Sequence, residues 1–157
     1  DTVFTDNVAH KDGGAIHAIV SSRITCQGTT RFIRNAATTG QGGALALYGS
    51  WSGESSRIII TGEATFTENV AFATGGAIFS SANARGQYFE NVIFHTNSAG
   101  VGGAVATYDN GDDENVFPAP TVYSNCQFIN NLASRSGLAV SVFDSLVIIS
   151  NTSFNGN

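Results

Sequence analysis

The chain has 157 residues, of which only 12% are charged and 42% hydrophobic, with a net charge of −5. An acidic balance without a Lys/Arg cluster argues against nucleic acid as a partner. No stretch approaches the roughly 18 apolar residues of a membrane-spanning helix, and any signal peptide is expected outside this stretch, since no basic segment leads into an apolar one.

Taken in chain order, the residues repeat. The first unit opens with Phe4-x-x-Asn7, passes Ala9 and reaches Gly13-Gly14-Ala15-Ile16. The second gives Phe32, Asn35, Ala37 and Gly42-Gly43-Ala44-Leu45, then a Ser/Gly-rich stretch over residues 48–55 and a β-branched run over 57–61. The third gives Phe66, Asn69, Ala71 and Gly75-Gly76-Ala77-Ile78. The fourth gives Phe94, Asn97, Ala99 and Gly102-Gly103-Ala104-Val105, followed by an acidic stretch over 108–115. The fifth keeps Phe128, Asn131, Ala133 and Gly137 but puts Leu138 where the second glycine stood, and Phe154 with Asn157 opens a sixth. Successive Phe residues lie 28, 34, 28, 34 and 26 positions apart. Such self-similarity marks a repeat protein.

The side-chain periods say which kind. Two residues before each Phe stand Thr2, Thr30, Ala64, Val92, Cys126 and Thr152, small enough to face inward. Three before stand Asp1, Thr29, Glu63, Asn91, Asn125 and Asn151, all polar, and six before stand Cys26, Ile60, Tyr88, Val122 and Ile148. That alternation marks strands bounded by turn residues. A unit of 28 residues with three short strands and three bends describes one coil of a parallel β-helix, and the chain holds five coils and part of a sixth. The hand is expected to be right, as parallel crossovers generally are.

Stacked coils explain the motif. The Phe rings form an aromatic column, and each Asn takes left-handed backbone at a bend while its carboxamide joins a ladder. The paired glycines supply positive φ or close backbone approach at a second bend. No helix and no Lys-Ser/Thr follow them, so they do not cradle phosphate. Cys26 and Cys126 belong to coils about 14 Å apart, whereas a disulfide needs Cα atoms within about 7 Å; both are expected as buried free thiols.

Two loops, over about 49–56 and 108–119, leave the same corner two coils apart, and repeat proteins place function in insertions along one face. The first carries the only tryptophan, Trp51, beside Tyr48, as in a recognition tip. The second carries Tyr108, Asp109, Asp112, Asp113 and Glu114. These carboxylates are the ligands Ca²⁺ takes, but their spacing does not follow an EF-hand loop, so a solvated turn and no cofactor are expected. Catalysis is not expected. The outward column two after each Phe reads Asp6, Arg34, Glu68, Thr96, Asn130 and Gly156, with no two adjacent carboxylates for acid/base work. His10, His17 and His95 hold different motif positions and form no metal-like cluster.

Phe-x-x-Asn alternating with Gly-Gly-Ala-[Ile/Leu/Val] resembles the repeat signature of the polymorphic outer membrane proteins of chlamydiae. The resemblance runs over essentially the whole chain. It implies a β-helical autotransporter passenger, displayed at the cell surface by a C-terminal membrane barrel and acting in adhesion. No barrel is expected within this stretch, and the chain departs from that pattern at Leu138 and in its long corner loops. Similar repeats in large secreted proteins of eukaryotic microbes imply an architectural role, which the glycosylation sequon Asn151-Thr152-Ser153 would suit.

The expected reading is therefore a single β-helix segment, 1–157, extracellular or at the cell surface and not an enzyme. Since neither end carries a cap, it is expected to be an internal piece of a longer solenoid. Adhesin-like contact with a protein or glycan through the loop corner comes first. A structural subunit meeting neighbouring copies in a filament or wall comes second, and a glycan-binding or polysaccharide-processing domain third.

Overall fold

The computed structural model of the chain describes residues 1–49, 56–81, 84, 86–108 and 119–157. Among these, every regular element is a strand, and all strand pairs are parallel. The first sheet stacks the Phe strands Thr2–Thr5, Thr30–Ile33, Ala64–Thr67, Val92–His95, Gln127–Ile129 and Ser153–Asn155. The second holds Val8–Ala9, Ala36–Ala37, Val70–Ala71, Ser98–Val101 and Leu132–Ser136. The third follows the glycines with Ile16–Ile19, Leu45–Tyr48, Ile78–Ser81, Val105–Tyr108 and Val140–Phe143. The fourth closes each turn with Arg23–Cys26, Arg57–Ile60, Tyr88–Glu90, Thr121–Ser124 and Val147–Ser150. Coils one to five thus begin at Thr2, Thr30, Ala64, Val92 and Gln127, and the architecture is a parallel β-helix.

Each coil has four strands rather than three. The additional one follows Asn and spans only two residues in the first three coils, too short for any alternation to reveal.

The Phe column runs the length of the stack. Successive rings of Phe4, Phe32, Phe66, Phe94, Phe128 and Phe154 lie 4.8, 4.6, 5.1, 4.7 and 4.8 Å apart, stacked with their planes within 16° of parallel. Those spacings match the distance between neighbouring strands, so the rings follow the backbone without strain. Phe89 and Tyr123 form a second stacked pair, edge-on to Phe94 and Phe128.

The Asn ladder is saturated. Asn35 Nδ2 donates to Phe4 O at 3.1 Å and to Asn69 Oδ1 at 2.9 Å. Its Oδ1 accepts from the backbone N–H and the Nδ2 of Asn7. Asn69, Asn97 and Asn131 repeat this arrangement down to Asn157. An amide side chain has two donors and two acceptor sites, and here all four are used.

The left-handed backbone, however, belongs not to these asparagines but to the residue before each: Asp6, Arg34, Glu68, Thr96, Asn130 and Gly156, with φ between 50° and 63°. The turn is tightened one position early, which swings the carboxamide inward to its neighbours. Asparagine does take positive φ at a different corner, at Asn91, Asn125 and Asn151. In the two earlier coils that corner carries one more residue, a glycine at Gly28 and Gly62.

Losing that residue shifts the fourth-sheet register. Cys26 and Ile60 pair with Phe89, Tyr123 and Ile149, not with Tyr88, Val122 and Ile148 as counting back from Phe suggested.

The glycine pair divides its labour. Gly13, Gly42, Gly75, Gly102 and Gly137 take φ of 62° to 64°. The second glycines, Gly14, Gly43, Gly76 and Gly103, leave room for the next coil: a Cβ there would lie 2.0–2.1 Å from that coil's carbonyl oxygen. Leu138 occupies this place in the fifth coil, where none of the described residues stacks beyond it.

Cys126 is buried and Cys26 half-buried at the less covered first coil; both are free, and burial raises both thiol pKa values.

Candidate functional site

The corner between the third and fourth sheets gives rise to both long loops. Tyr48 and Tyr108 each pair in register with Ser81, so the two tyrosines stand in one outward column, two coils apart. Trp51, Asp109, Asp112, Asp113 and Glu114 lie outside the described residues. The structure thus brings the two tyrosines to one corner and leaves the remaining candidates unassigned.

Between the tyrosines lies Phe79, which the sequence reading did not single out. It occupies an outward position flanked in register by Ala46 and Ala106, yet it is only 4% exposed. The small alanines leave space for the larger rings to lean over them. Tyr48 and Phe79 centroids are 5.4 Å apart, and Phe79 and Tyr108 are 5.8 Å apart. His17 extends the strip edge-on to Tyr48 at 5.6 Å, and Phe143 extends it beyond Tyr108 at 6.0 Å. The sequence signal was an aromatic at an outward strand position with alanine at the matching place in both neighbouring coils.

Hydrogen bonds fix the base of this corner. Gln41 Nε2 donates to Tyr48 Oη at 3.2 Å, while Thr74 Oγ1 donates to Gln41 Oε1 at 2.7 Å. Burial, reinforced by the Asp12 carboxylate, raises the Tyr48 phenol above its ordinary pKa and keeps it neutral. Ser56 Oγ donates to Tyr48 O at 3.1 Å, joining the two ends of the first loop, and accepts the Ser22 N–H. The Gly86 N–H donates to Ala119 O, tying the second loop's return to coil three.

Two further surfaces matter. In the outward column after Phe, Arg34 grips Asp6 through Nε and Nη2 at 2.7 and 2.8 Å. The Arg34 hydrogen bond holds the Asp6 carboxyl below its ordinary range, with a smaller contribution from Thr5. Along the first sheet, a groove of about 300 Å³ runs down four coils, lined by Thr29, Arg31, Glu63, Thr65, Asn91, Asn125 and Gln127 together with Ala64 and Ile93. Among the described residues no group of three or more His, Cys, Asp or Glu side chains is arranged to hold a metal. Asn151 is exposed at its turn, its Nδ2 donating to Asn125 Oδ1 at 2.8 Å.

Four stacked sheets and continuous inner columns define a parallel β-helix repeat protein. Its repeats are of the chlamydial polymorphic membrane protein type: residues 1–19 and 63–81, each containing a Phe-x-x-Asn and a Gly-Gly-Ala-Ile, match the Chlamydia polymorphic membrane protein (Chlamydia_PMP) repeat. Among relatives, the probable outer membrane protein pmp7 of Chlamydia pneumoniae is 33% identical over 148 residues, covering 88% of this chain and 15% of that protein. The probable outer membrane protein pmp6 of the same organism is 34% identical over 125 residues, covering 67% of this chain and 9% of that protein. The chain therefore spans less than a fifth of the length of these relatives. No solved structure matches it. The names of both relatives agree with a cell-surface setting, and no helix among the described residues is long and apolar enough to cross a membrane.

Proposed function

We propose that this chain is a non-enzymatic, cell-surface recognition segment that contacts a host protein or glycan through the corner bearing loops 49–56 and 108–119. The observation that carries this reading is the register of Tyr48 and Tyr108 about Ser81, with Phe79 wedged between their rings. An aromatic base at this corner carries two insertions on one side of the shaft, an arrangement suited to presenting them to a partner. The outward column of Asp6, Arg34, Glu68 and Thr96 alternates in charge and offers no neighbouring carboxylate pair, which supports contact rather than turnover. No cofactor is needed for such a role.

A second reading draws on the groove along the first sheet. Its side chains recur once per coil, close to the length of one linked pyranose, whereas an extended peptide repeats on one face every ~6.6 Å and would drift out of phase. Arg31 and Glu63 balance in charge, so the fitting ligand is a neutral linear glycan.

One experiment addresses both. Replacing residues 50–55 and 109–118 by short Gly-Ser links is expected to lower binding of the labelled chain to cultured host cells about tenfold or more, with thermal stability retained. Full binding by this folded variant contradicts the loop reading. If that residual binding falls on Asn125→Ala and Gln127→Ala and is competed by cello- or chito-tetraose, the groove is the contact. A chain that binds no cell or sugar but assembles with its own copies supports a filament subunit instead.

A further inference from the structure

The interior changes character beneath the loop corner. On the third sheet the inward column reads Leu47, Ser80, Thr107 and Val142 through coils two to five. On the fourth sheet, Gln87 and Thr121 lie in register between Ile58 and Val147, while Tyr123 succeeds Phe89. Coils three and four therefore carry a polar belt between apolar neighbours.

The belt is sealed. Ser80, Gln87, Thr107, Thr121 and Tyr123 are all 2% exposed or less. Ser80 Oγ and Thr107 Oγ1 are hydrogen-bonded at 3.3 Å, and Gln87 Oε1 accepts the Ile58 N–H at 2.7 Å. Three polar atoms have no hydrogen-bond partner among the described residues: Gln87 Nε2, Thr121 Oγ1 and Tyr123 Oη. The Thr107 hydroxyl lies beside the Tyr123 phenol. Buried polar atoms without partners are rare in native proteins, and three in one belt call for a shared explanation.

We propose that the belt is an internal hydration site, in which ordered water bridges Tyr123 Oη, Thr121 Oγ1 and Gln87 Nε2 beside the Ser80–Thr107 pair. A buried water makes two to four hydrogen bonds, and the belt supplies both donors and acceptors. None of the buried polar side chains among the described residues is charged, so the fitting occupant is neutral and small rather than an ion. Its position has a consequence. Ser80 and Thr107 lie one residue before the column from which the loops depart, and Gln87 and Thr121 stand at the start of the returning strands. The water would join the two sides of the corner from within, whatever the loops bind.

Tyr123→Phe removes the hydroxyl and almost nothing else, and the sign of its effect shows whether Oη is hydrogen-bonded. If water satisfies Oη, the substitution removes a made hydrogen bond and lowers Tm by about 2–4 °C. If the atom is buried dry, removing it relieves a desolvation penalty and Tm rises, which overturns the proposal. An independent readout on the unmodified chain uses water-to-protein cross-relaxation in NMR. Long-lived water contacts to Tyr123, Thr121 and Thr107 are expected, and their absence overturns the proposal even should the variant fail to fold.

Discussion

Replacing Asn69 by alanine is expected to destabilise the chain by roughly 3–6 kcal/mol in urea unfolding, a large part of the stability of an ordinary domain. The loss does not come from the side chain's own burial. It comes from the bonds that three neighbours lose. The Asn35 N–H and one of the two Asn35 Nδ2 hydrogens lose Asn69 Oδ1 as acceptor, the other Nδ2 hydrogen keeping Phe4 O, and the Phe32 carbonyl loses the Asn69 Nδ2 donor. Each sits in a fully buried layer and costs about 1–3 kcal/mol when orphaned. Asn7→Ala should cost only about 1 kcal/mol, because Asn7 lies at the exposed start of the ladder and Asn35 Oδ1 keeps the backbone donor. Equal losses at both positions would show that the ladder does not act as a buried network.

Gly76→Ala is expected to be still more damaging, by more than about 4 kcal/mol or with loss of folding. Gly76 does not need positive φ; the obstacle is space. An added Cβ would lie 2.0 Å from Gly103 O and 2.6–2.7 Å from Ser98 N and O, all backbone of the next coil. None can yield without separating the coils along a whole corner. Leu138→Gly at the equivalent place in the fifth coil, where the side chain is 45% exposed, should change stability by only about 0.5 kcal/mol. The contrast between two corresponding positions isolates the stacking contact from any general effect of glycine.

Much of this was readable in the residues. Phe and Asn recur at offsets that survive the changing loop lengths, so the inner columns and the shared corner of Tyr48 and Tyr108 followed from counting alone. Other features were hidden for physical reasons. A two-residue strand such as Val70–Ala71 has no period to read. The register change between Ile60 and Phe89 arises because a glycine present at Gly28 and Gly62 is absent from the later coils, and counting back from Phe assumes a constant turn. The left-handed residue was misplaced because asparagine accepts that backbone so readily; here its side chain is needed inside and the strain falls on Asp6, Arg34, Glu68 and Thr96 instead. Phe79 was missed because alternation assigns it to solvent, and only the register shows it covering Ala46 and Ala106. The polar belt was missed for a related reason: Ser80, Thr107 and Thr121 look like surface residues until the pairing of coils places them inside.

The most direct test of in-register stacking is the scalar coupling transmitted across side-chain hydrogen bonds in an amide-labelled sample. The account predicts couplings from Asn35 Nδ2 to the Asn69 carboxamide, from Asn69 to Asn97 and from Asn97 to Asn131, with these amides protected from exchange. Side-chain amides that exchange freely with water and couple to no neighbouring asparagine would contradict it.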